Sequence, residues 1–137
     1  MSLEMVKSLM KEVVWGFLAT TDGNKVGVRP IGSCIWMGNE LWAATTEGTD
    51  KIMQLRKVPN AEYCFIDKEG KHVRIEGSCI ISTNNDDKLR LYEAVPILKN
   101  YIKDPSEPKY VVIRMRPKRI RLMAQAGTKY EDIEVPT

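Results

Sequence analysis

Turn residues divide the first third of the chain into short segments with the two-residue periodicity of β-strands. The turn sequences Asp22-Gly23-Asn24 and Gly38-Asn39 bound segment 25–37. Within this segment one face carries Val26, Val28 and Pro30, and the other carries Gly27, Arg29 and Ile31. Alternation bounded by turns is typical of antiparallel hairpins. The sequence therefore predicts that the strands 14–20, 25–37 and 40–45 open the fold as a meander.

Small helices are predicted around these strands. Apolar residues three and four positions apart, with charged residues between them, predict an N-terminal helix over 3–13. Thr49 is a residue type favoured at helix N-caps, and it precedes a short apolar stripe of Ile52, Leu55 and Val58. Segment 84–87 predicts the start of a third helix over 88–101, which is expected to break at Pro96 because proline lacks a backbone donor.

Further apolar segments predict four more strands, at 61–67, 72–82, 110–115 and 119–124. The last two are expected to be separate because Pro117 lies between them. The polar tail from about residue 127 is predicted to be irregular. Strands and helices do not alternate as in β-α-β units, so a parallel sheet is not expected. The sequence thus predicts a mainly β fold: a six- to seven-stranded antiparallel barrel with small flanking α-helices, in which strand glycines supply the bends.

Composition is that of an ordinary globular domain. The 137 residues are 43% hydrophobic and 28% charged, which suits a single domain over 1–137 with its own core. The longest uninterrupted apolar stretch, 13–19, is far shorter than the roughly 20 residues that cross a bilayer. The start of the chain lacks the basic and apolar regions of a signal peptide. We therefore expect a cytoplasmic protein with no membrane partner.

Cysteine and histidine are too few for several kinds of site. Cys34, Cys64 and Cys79 lie singly in apolar stretches, without the spacing of a zinc site or a disulfide framework. Free, buried thiols are the expected state of all three. A single histidine, His72, argues against a Ser-His-Asp triad and against a histidine metal cluster. No metal is expected.

Two segments are candidates for chemistry. Segment 45–51 runs from a strand end through a glycine loop into a helix, and its threonines and Lys51 suit an anion bound at the helix N-terminus. Taken alone, this pattern is more typical of a capped surface helix with a solvated lysine, and Asp50 would compete for the same amides. Arg29-Pro30 is the second candidate, since a mid-strand proline belongs at a sheet edge or beside a ligand. An edge strand with a solvent-facing arginine is its simpler explanation.

Together these segments and their neighbours resemble a known family. The matching segments, in order, are Val28-Arg29-Pro30-Ile31-Gly32, Leu41 to Thr46, Thr49-Asp50-Lys51, Leu55 to Ala61 and Val73 to Ser78. Their order and spacing resemble the pyridoxamine 5′-phosphate oxidase-like flavin-binding split-barrel family. The likeness runs from about residue 15 to 82, and more loosely to residue 124.

The resemblance implies a Greek-key split barrel that forms a homodimer, with FMN bound in clefts shared between the subunits. By position, Arg29, Pro30 and Ile31 would lie along the flavin. Thr45 and Thr46 would lie near the ring or ribityl chain, with Thr49 and Lys51 on the phosphate. His72 falls where the oxidase often has a polar residue near the flavin, although a lone histidine at a strand start is equally typical of the surface.

Some features depart from the family pattern. The Asn-Pro pair is inverted to Pro59-Asn60, and the C-terminal region lacks the Trp and Arg with which the oxidase engages pyridoxal phosphate. The nitroimidazole-resistance branch tends to carry a histidine just before the loop lysine, where this chain has Asp50. The short general-stress-protein-like branch fits best.

The function we expect is therefore an FMN-dependent oxidoreductase that passes electrons from a nicotinamide or other donor to a small acceptor. The alternatives are a non-catalytic flavin-binding or sensing protein, and the same barrel holding haem, with His72 as its only histidine ligand, or a deazaflavin. Five cations between Arg114 and Arg121 raise the possibility of a nucleic-acid surface. They alternate with apolar residues and carry no aromatic platform, so a solvated strand face is the better interpretation and no nucleic-acid partner is expected.

Overall fold

The computed structural model describes residues 2–13 and 15–137 of the chain. Its helices are α1 (Leu3–Glu12), α2 (Asp50–Lys57) and α3 (Asn85–Ala94), and a 3-10 helix follows at Pro96–Asn100. Its strands are β1 (Gly16–Thr21), β2 (Val26–Ile31), β3 (Ile35–Met37), β4 (Glu40–Thr46), β5 (Asn60–Ile66), β6 (His72–Ser82), β7 (Tyr110–Met123) and β8 (Glu131–Ile133). The predicted mainly β class with small helices is confirmed.

The strands form one antiparallel sheet of eight, rather than six or seven. Their order is β2-β1-β5-β6-β7-β4-β3, with β8 added to β7. β5, β6 and β7 are successive neighbours and β4 lies on the far side of β7, which is a Greek-key arrangement. The pairing path ends at β2 and β3 and does not close into a complete barrel.

The expected three-strand meander is wrong. Segment 25–37 is two strands, and β4 pairs with β3 and β7 rather than with β2. Between β2 and β3 the buried Ser33 hydroxyl accepts from the Ala44 amide at 3.0 Å and donates to the Ala44 carbonyl at 3.3 Å. This side chain satisfies part of the β4 backbone at the point where the sheet divides, which residue alternation alone does not reveal.

β7 is one strand of 14 residues where two were expected. Pro117 lies opposite Gly77, at a register shift between Glu76 and Gly77. An irregularity of this kind interrupts the ladder locally, so it can accommodate a residue without a backbone donor. A Cβ on Gly77 would overlap the carbonyl oxygen of Arg116, so the close approach of the two strands needs glycine there.

The tail is not wholly irregular. Its segment β8 pairs with residues 120–122 of β7, and Ile133 is buried against the core. Burial of this one apolar side chain favours the added strand.

The third helix begins before residue 88 and ends before Pro96. The Asn84 side chain accepts hydrogen bonds from the amides of Asp86 and Asp87 at 2.8 Å and 3.2 Å, which starts the helix earlier than expected. After Pro96 the chain continues as the 3-10 helix. The first helix ends at Glu12, one residue before the predicted boundary.

Two hydrophobic clusters hold these elements together. The larger packs α1 and α2 against the sheet, with Val6, Leu9, Ile52, Leu55, Tyr63 and Ile75 among its buried members. The smaller packs α3 and the 3-10 helix on β4 and β7 through Trp42, Leu91, Val95, Leu98, Tyr110 and Val112. The clusters fix the end of β4 relative to α2 on one side and to the 3-10 helix on the other. In the described part of the chain, no helix has the length and hydropathy needed to span a bilayer.

Candidate functional site

Arg29 on β2 is held against the neighbouring strand β1 by hydrogen bonds. Its Nη1 donates to the Leu18 carbonyl at 3.1 Å and to Thr20 Oγ1 at 2.7 Å. Thr20 in turn donates to the Gln54 side chain of α2. Burial lowers the pKa of Arg29, and the nearby Asp50 carboxylate acts in the opposite direction. The guanidinium is therefore fixed by the barrel wall and lies near the first turn of α2.

Lys51 brings a second positive charge to the same place. It lies on the first turn of α2 and is half-buried. Burial and then the charge of Arg29 lower the pKa of Lys51, while Asp50 raises it. Within residues 2–13 and 15–137, no carboxylate lies within salt-bridge distance of either cation. The cation pair, Arg29 and Lys51, therefore has the Asp50 carboxylate nearby but no direct ion pair in the described residues.

The N-terminus of α2 is uncapped beside the cation pair. Thr49 is the N-cap residue, as predicted, but its side chain makes no hydrogen bond to the first-turn amides. Its hydroxyl donates instead to the Thr46 carbonyl at 2.9 Å. Uncapped amides at a helix N-terminus favour an anion through their donors and the helix dipole. We refer to the cation pair and the first turn of α2 as the anion corner.

A cleft of about 440 Å³ opens beside the end of β4. Its size is within the range of small-molecule sites, and its lining is mainly apolar. The lining residues are Trp15, Gly32, Ser33, Ala44, Thr45, Thr46, Ile97, Leu98, Tyr101, Ile102, Glu107, Lys109 and Tyr110. The predicted residues Thr45 and Thr46 are among them, so β4 places its threonines on the cleft.

The cleft and the anion corner are joined by one loop. Thr46 lines the cleft, and its carbonyl accepts the Thr49 hydroxyl at the start of α2. Between them, the Glu47 amide donates to the carbonyl of Lys109, another cleft residue, at 2.8 Å. Glu47 also forms an ion pair with Arg56 of α2. The loop from Thr46 to Thr49 therefore connects the lining of the cleft to the first turn of α2.

Pro30 and Ile31 lie beside Arg29 but on different faces of β2. Ile31 is buried in the larger hydrophobic cluster, whereas Pro30 is exposed on the outer face. Successive strand side chains point to opposite faces, so Arg29 shares the inner face with Ile31 and not with Pro30.

His72 lies away from the other predicted residues. It pairs with Met123 at one end of β7, whereas Thr45 pairs with Val111 at the other end. Its Nδ1 is 2.8 Å from the Gly70 carbonyl and its Nε2 is 2.7 Å from the Tyr130 hydroxyl. Both ring nitrogens are thus engaged, and His72 does not line the cleft.

Among the cleft residues, Tyr101 and Ile97 were not singled out from the sequence as part of a site. Tyr101 and Ile97 form an exposed apolar wall that comes from the long connection between β6 and β7. Trp15 forms another wall, and its indole packs so closely on Gly32 that a Cβ there would lie 2.7 Å from the ring. No sequence motif marks these residues, because only the tertiary fold brings them close to β4.

The basic run on β7 is largely neutralised. Arg114 pairs with Glu40 and Asp87, Arg119 pairs with Asp132, and Arg121 pairs with Glu62 and Glu76, as shown by their side-chain distances of 2.9 Å to 3.4 Å. Three of the five cations are thus paired with carboxylates, while Arg116 and Lys118 form no ion pair within the described residues. This pairing lowers the positive charge that a nucleic-acid surface would require.

Comparison with known proteins agrees with this fold. The family model for pyridoxamine 5′-phosphate oxidase matches residues 3–124. The chain belongs to this family. The match includes β1 to β7, the anion corner and the cleft, so the family resemblance seen in the sequence is confirmed. No curated protein sequence matches.

Solved structures share the split-barrel fold of the family. A NimC/NimA family protein from Clostridium acetobutylicum is 21% identical with a TM-score of 0.82, over 96% of this chain and 90% of that one. General Stress Protein 26 from Bacillus anthracis is 20% identical with a TM-score of 0.77, over 94% and 96%. An F420 reductase is 20% identical with a TM-score of 0.64, over 83% and 94%. At these identities the likeness concerns the fold.

Proposed function

We propose that this family member is an FMN-binding flavoprotein that acts as an oxidoreductase, passing electrons from a nicotinamide or other donor to a small-molecule acceptor. The phosphate of FMN would be held by Arg29, Lys51 and the first-turn amides of α2, and its ring system by the cleft beside Thr45 and Thr46. The observation that carries the proposal is the cation pair, which has no ion-pair partner in the described chain and lies beside an uncapped helix.

The residues present fit the charge and the shape of FMN. A phosphate would supply the negative charge that the cation pair lacks, and charge-assisted bonds to such a group are short and strong. The mainly apolar cleft suits a flat ring system. Bound FMN would supply the redox chemistry, while the protein fixes its position and electrostatic surroundings.

The other predicted residues have indirect roles in this proposal. Thr49 donates its hydroxyl proton to the Thr46 carbonyl and so shapes the loop. The sequence had led us to expect that this hydroxyl would bind phosphate. Ile31 anchors β2 in the core next to Arg29, and Pro30 lies on the outer face of that strand. His72 is given no role in this proposal, since it does not line the cleft and both of its ring nitrogens have partners.

A homodimer is part of the proposal. Val26 and Val28 on the outer face of β2 are 78% and 68% exposed, and Phe17 and Pro30 extend the same apolar surface. Contiguous exposed apolar surface favours a protein partner. A second copy on this face would cover β2, which carries Arg29 on its opposite face, and would thereby fix the strand that presents Arg29 to the cofactor.

Two alternatives differ in their support. A deazaflavin in place of FMN is consistent with the F420 reductase among proteins of this fold. Haem ligated by His72 is not supported, because both ring nitrogens already have partners. A flavin-binding protein without turnover has the same site as an enzyme, so kinetics must distinguish them.

The test begins with the visible spectrum of the purified protein and mass spectrometry of what acid releases. Flavin-free protein is then titrated with FMN, riboflavin and a deazaflavin, and binding is followed by fluorescence. We expect FMN to bind more tightly than riboflavin because only FMN carries the phosphate. A protein that gains no flavin would overturn the proposal.

Anaerobic mixing of the flavin-loaded protein with NADH and NADPH tests the enzymatic part. Bleaching of the flavin absorbance by either donor, followed by reoxidation with a small acceptor, is the expected result. Absence of bleaching with any donor would leave a flavin-binding protein without turnover.

A further inference from the structure

Lys88 of α3 is a lysine inside the protein. It is 3% exposed, and its Nζ donates to the Glu107 carbonyl at 2.8 Å. Its ammonium group also lies 5.4 Å from the centre of the Tyr110 ring. The Tyr110 hydroxyl donates back to the Lys88 carbonyl at 2.7 Å. Lys88 and Tyr110 therefore fasten α3 to segment 107–110 from both directions.

The buried ammonium group of Lys88 faces the Glu107 carbonyl, the Tyr110 ring and, at longer range, the charge of Asp104. No carboxylate in the described ranges 2–13 and 15–137 lies within salt-bridge distance of its Nζ. Burial of a charge without such a partner is unfavourable. The Glu107 carbonyl would not be orphaned without it, since the Tyr110 amide also donates to that oxygen at 3.0 Å. The hydrogen bond from Lys88 is therefore not needed to satisfy the Glu107 carbonyl.

Segment 107–110 connects Lys88 to the candidate site. Glu107, Lys109 and Tyr110 all line the cleft. The Lys109 carbonyl accepts the Glu47 amide at 2.8 Å, and Tyr110 pairs with Thr46 between β7 and β4. The contacts thus run from Lys88 through the cleft wall to the loop that leads into α2.

We infer that Lys88 is a positioning residue for ligand binding: its ammonium group ties the cleft wall 107–110 to α3 and thereby holds the loop from Thr46 to Thr49 in the form that accepts the ligand. The inference rests on the proposed flavin site, although Lys88 itself does not line the cleft. Burial of the Lys88 charge lowers stability, and in this inference the benefit is a rigid cleft wall that favours ligand binding.

Two substitutions separate this role from a structural one. Lys88→Met keeps the length and apolar stem of the side chain but removes the donor and the charge. Lys88→Gln keeps a donor without the charge. Lys99→Met is the matched control, because Lys99 is an exposed lysine on the 3-10 helix outside the cleft lining. Hydrogen exchange and thermal unfolding are measured on flavin-free protein, and FMN and riboflavin affinities by titration.

We expect Lys88→Met to unfold at the wild-type temperature or above, while the amides of Glu47 and Tyr110 exchange faster. Its FMN affinity should fall about tenfold, which corresponds to roughly 1.4 kcal/mol. Lys88→Gln should lie between Lys88→Met and the wild type, and Lys99→Met should match the wild type.

Unchanged exchange at Glu47 and Tyr110, or wild-type FMN affinity in Lys88→Met, would overturn the inference. A large loss of thermal stability in both Lys88 variants would do so too, since it would show a purely structural lysine. If the wild-type protein binds neither FMN nor riboflavin, the proposed function fails by itself. The exchange measurement then still decides whether Lys88 holds the loop.

Discussion

The charged form of Lys51 is destabilised by its surroundings in the folded protein. Its folded-state pKa is lowered from 10.5 by burial and by the charge of Arg29. The folded protein therefore binds this proton less tightly than the unfolded chain does, so the charged lysine lowers stability at any pH below its folded pKa. This loss diminishes as the pH rises from the folded pKa towards 10.5. A bound anion would favour the charged form and reverse the sign of the effect.

Lys51→Met is predicted to separate ligand binding from stability. FMN affinity should fall by about 10- to 100-fold because a charge-assisted contact contributes about 1.5–3 kcal/mol, whereas riboflavin affinity should change little. The flavin-free variant should be at least as stable as the wild type at pH 7, because the repulsion with Arg29 is gone. Titration calorimetry and urea unfolding measure the two effects.

Lys57→Met is the matched control for this prediction, since Lys57 is exposed in the last turn of the same helix. It should leave both flavin affinities unchanged. If Lys51→Met lowers the affinities for FMN and riboflavin equally, a phosphate bound at the anion corner is contradicted.

The two helices α2 and α3 begin in different ways. Asn84 caps α3 by accepting from the amides of Asp86 and Asp87, whereas Thr49 makes no such bond at α2. A free helix N-terminus is unusual beside two cations unless an anion binds there, because both features favour negative charge. The difference between the helices therefore supports the proposed anion site at α2.

Substitution of the two N-cap residues is predicted to have unequal effects. Asn84→Ala should lower the free energy of unfolding by about 0.5–2 kcal/mol, because two amide bonds are lost. Thr49→Ala should cost less in flavin-free protein, since no capping bond is removed. Urea unfolding of both variants checks this. A larger loss in Thr49→Ala than in Asn84→Ala would show that α2 depends on its N-cap.

Local sequence predicted the elements that depend on neighbouring residues. The strand carrying Arg29, the start of α2 at Thr49 and the strand His72–Ser82 all follow from periodicity and turn or cap chemistry close by. Short motifs drew attention to Arg29 and Lys51, the family resemblance assigned them to the site, and the structure places their charges close together.

Features that depend on distant residues were not predictable in this way. The division of segment 25–37 depends on Ser33 meeting Ala44, and the continuity of β7 depends on Gly77 lying opposite Pro117. The wall of the cleft at Tyr101 depends on the packing of the 3-10 helix on β4 and β7. Each of these features is a contact between residues far apart in sequence. The rules for strand alternation and helix capping concern neighbouring residues and cannot predict such contacts.

The molecule as a whole leaves one sheet face apolar and exposed. This face comprises Phe17 on β1 with Val26, Val28 and Pro30 on β2, and β2 is an end strand of the sheet. An end strand with apolar side chains readily associates with another chain unless it is covered. A homodimer through this face would protect the strand and fix β2, which carries Arg29 on its other face.

Charged substitutions at Val28 are predicted to dissociate the dimer and weaken FMN binding together. Val28→Asp and Val28→Lys both place a charge in the proposed interface, yet they affect the charge near Arg29 in opposite directions. If the effect on FMN acts through the dimer, both variants lose affinity; a direct electrostatic effect would move their affinities in opposite directions. Because Val28 is 68% exposed, neither change should prevent folding.

The matched controls are Ile80→Asp and Ile80→Lys, since Ile80 is 56% exposed on β6, away from this face. Any loss of strand propensity, up to about 1 kcal/mol, is then common to both positions. Sedimentation velocity should show a dimer for the wild type and the Ile80 variants and a monomer for both Val28 variants. If the wild-type protein is a monomer and still binds FMN, a cleft shared between subunits is contradicted, because one chain would then form the whole site.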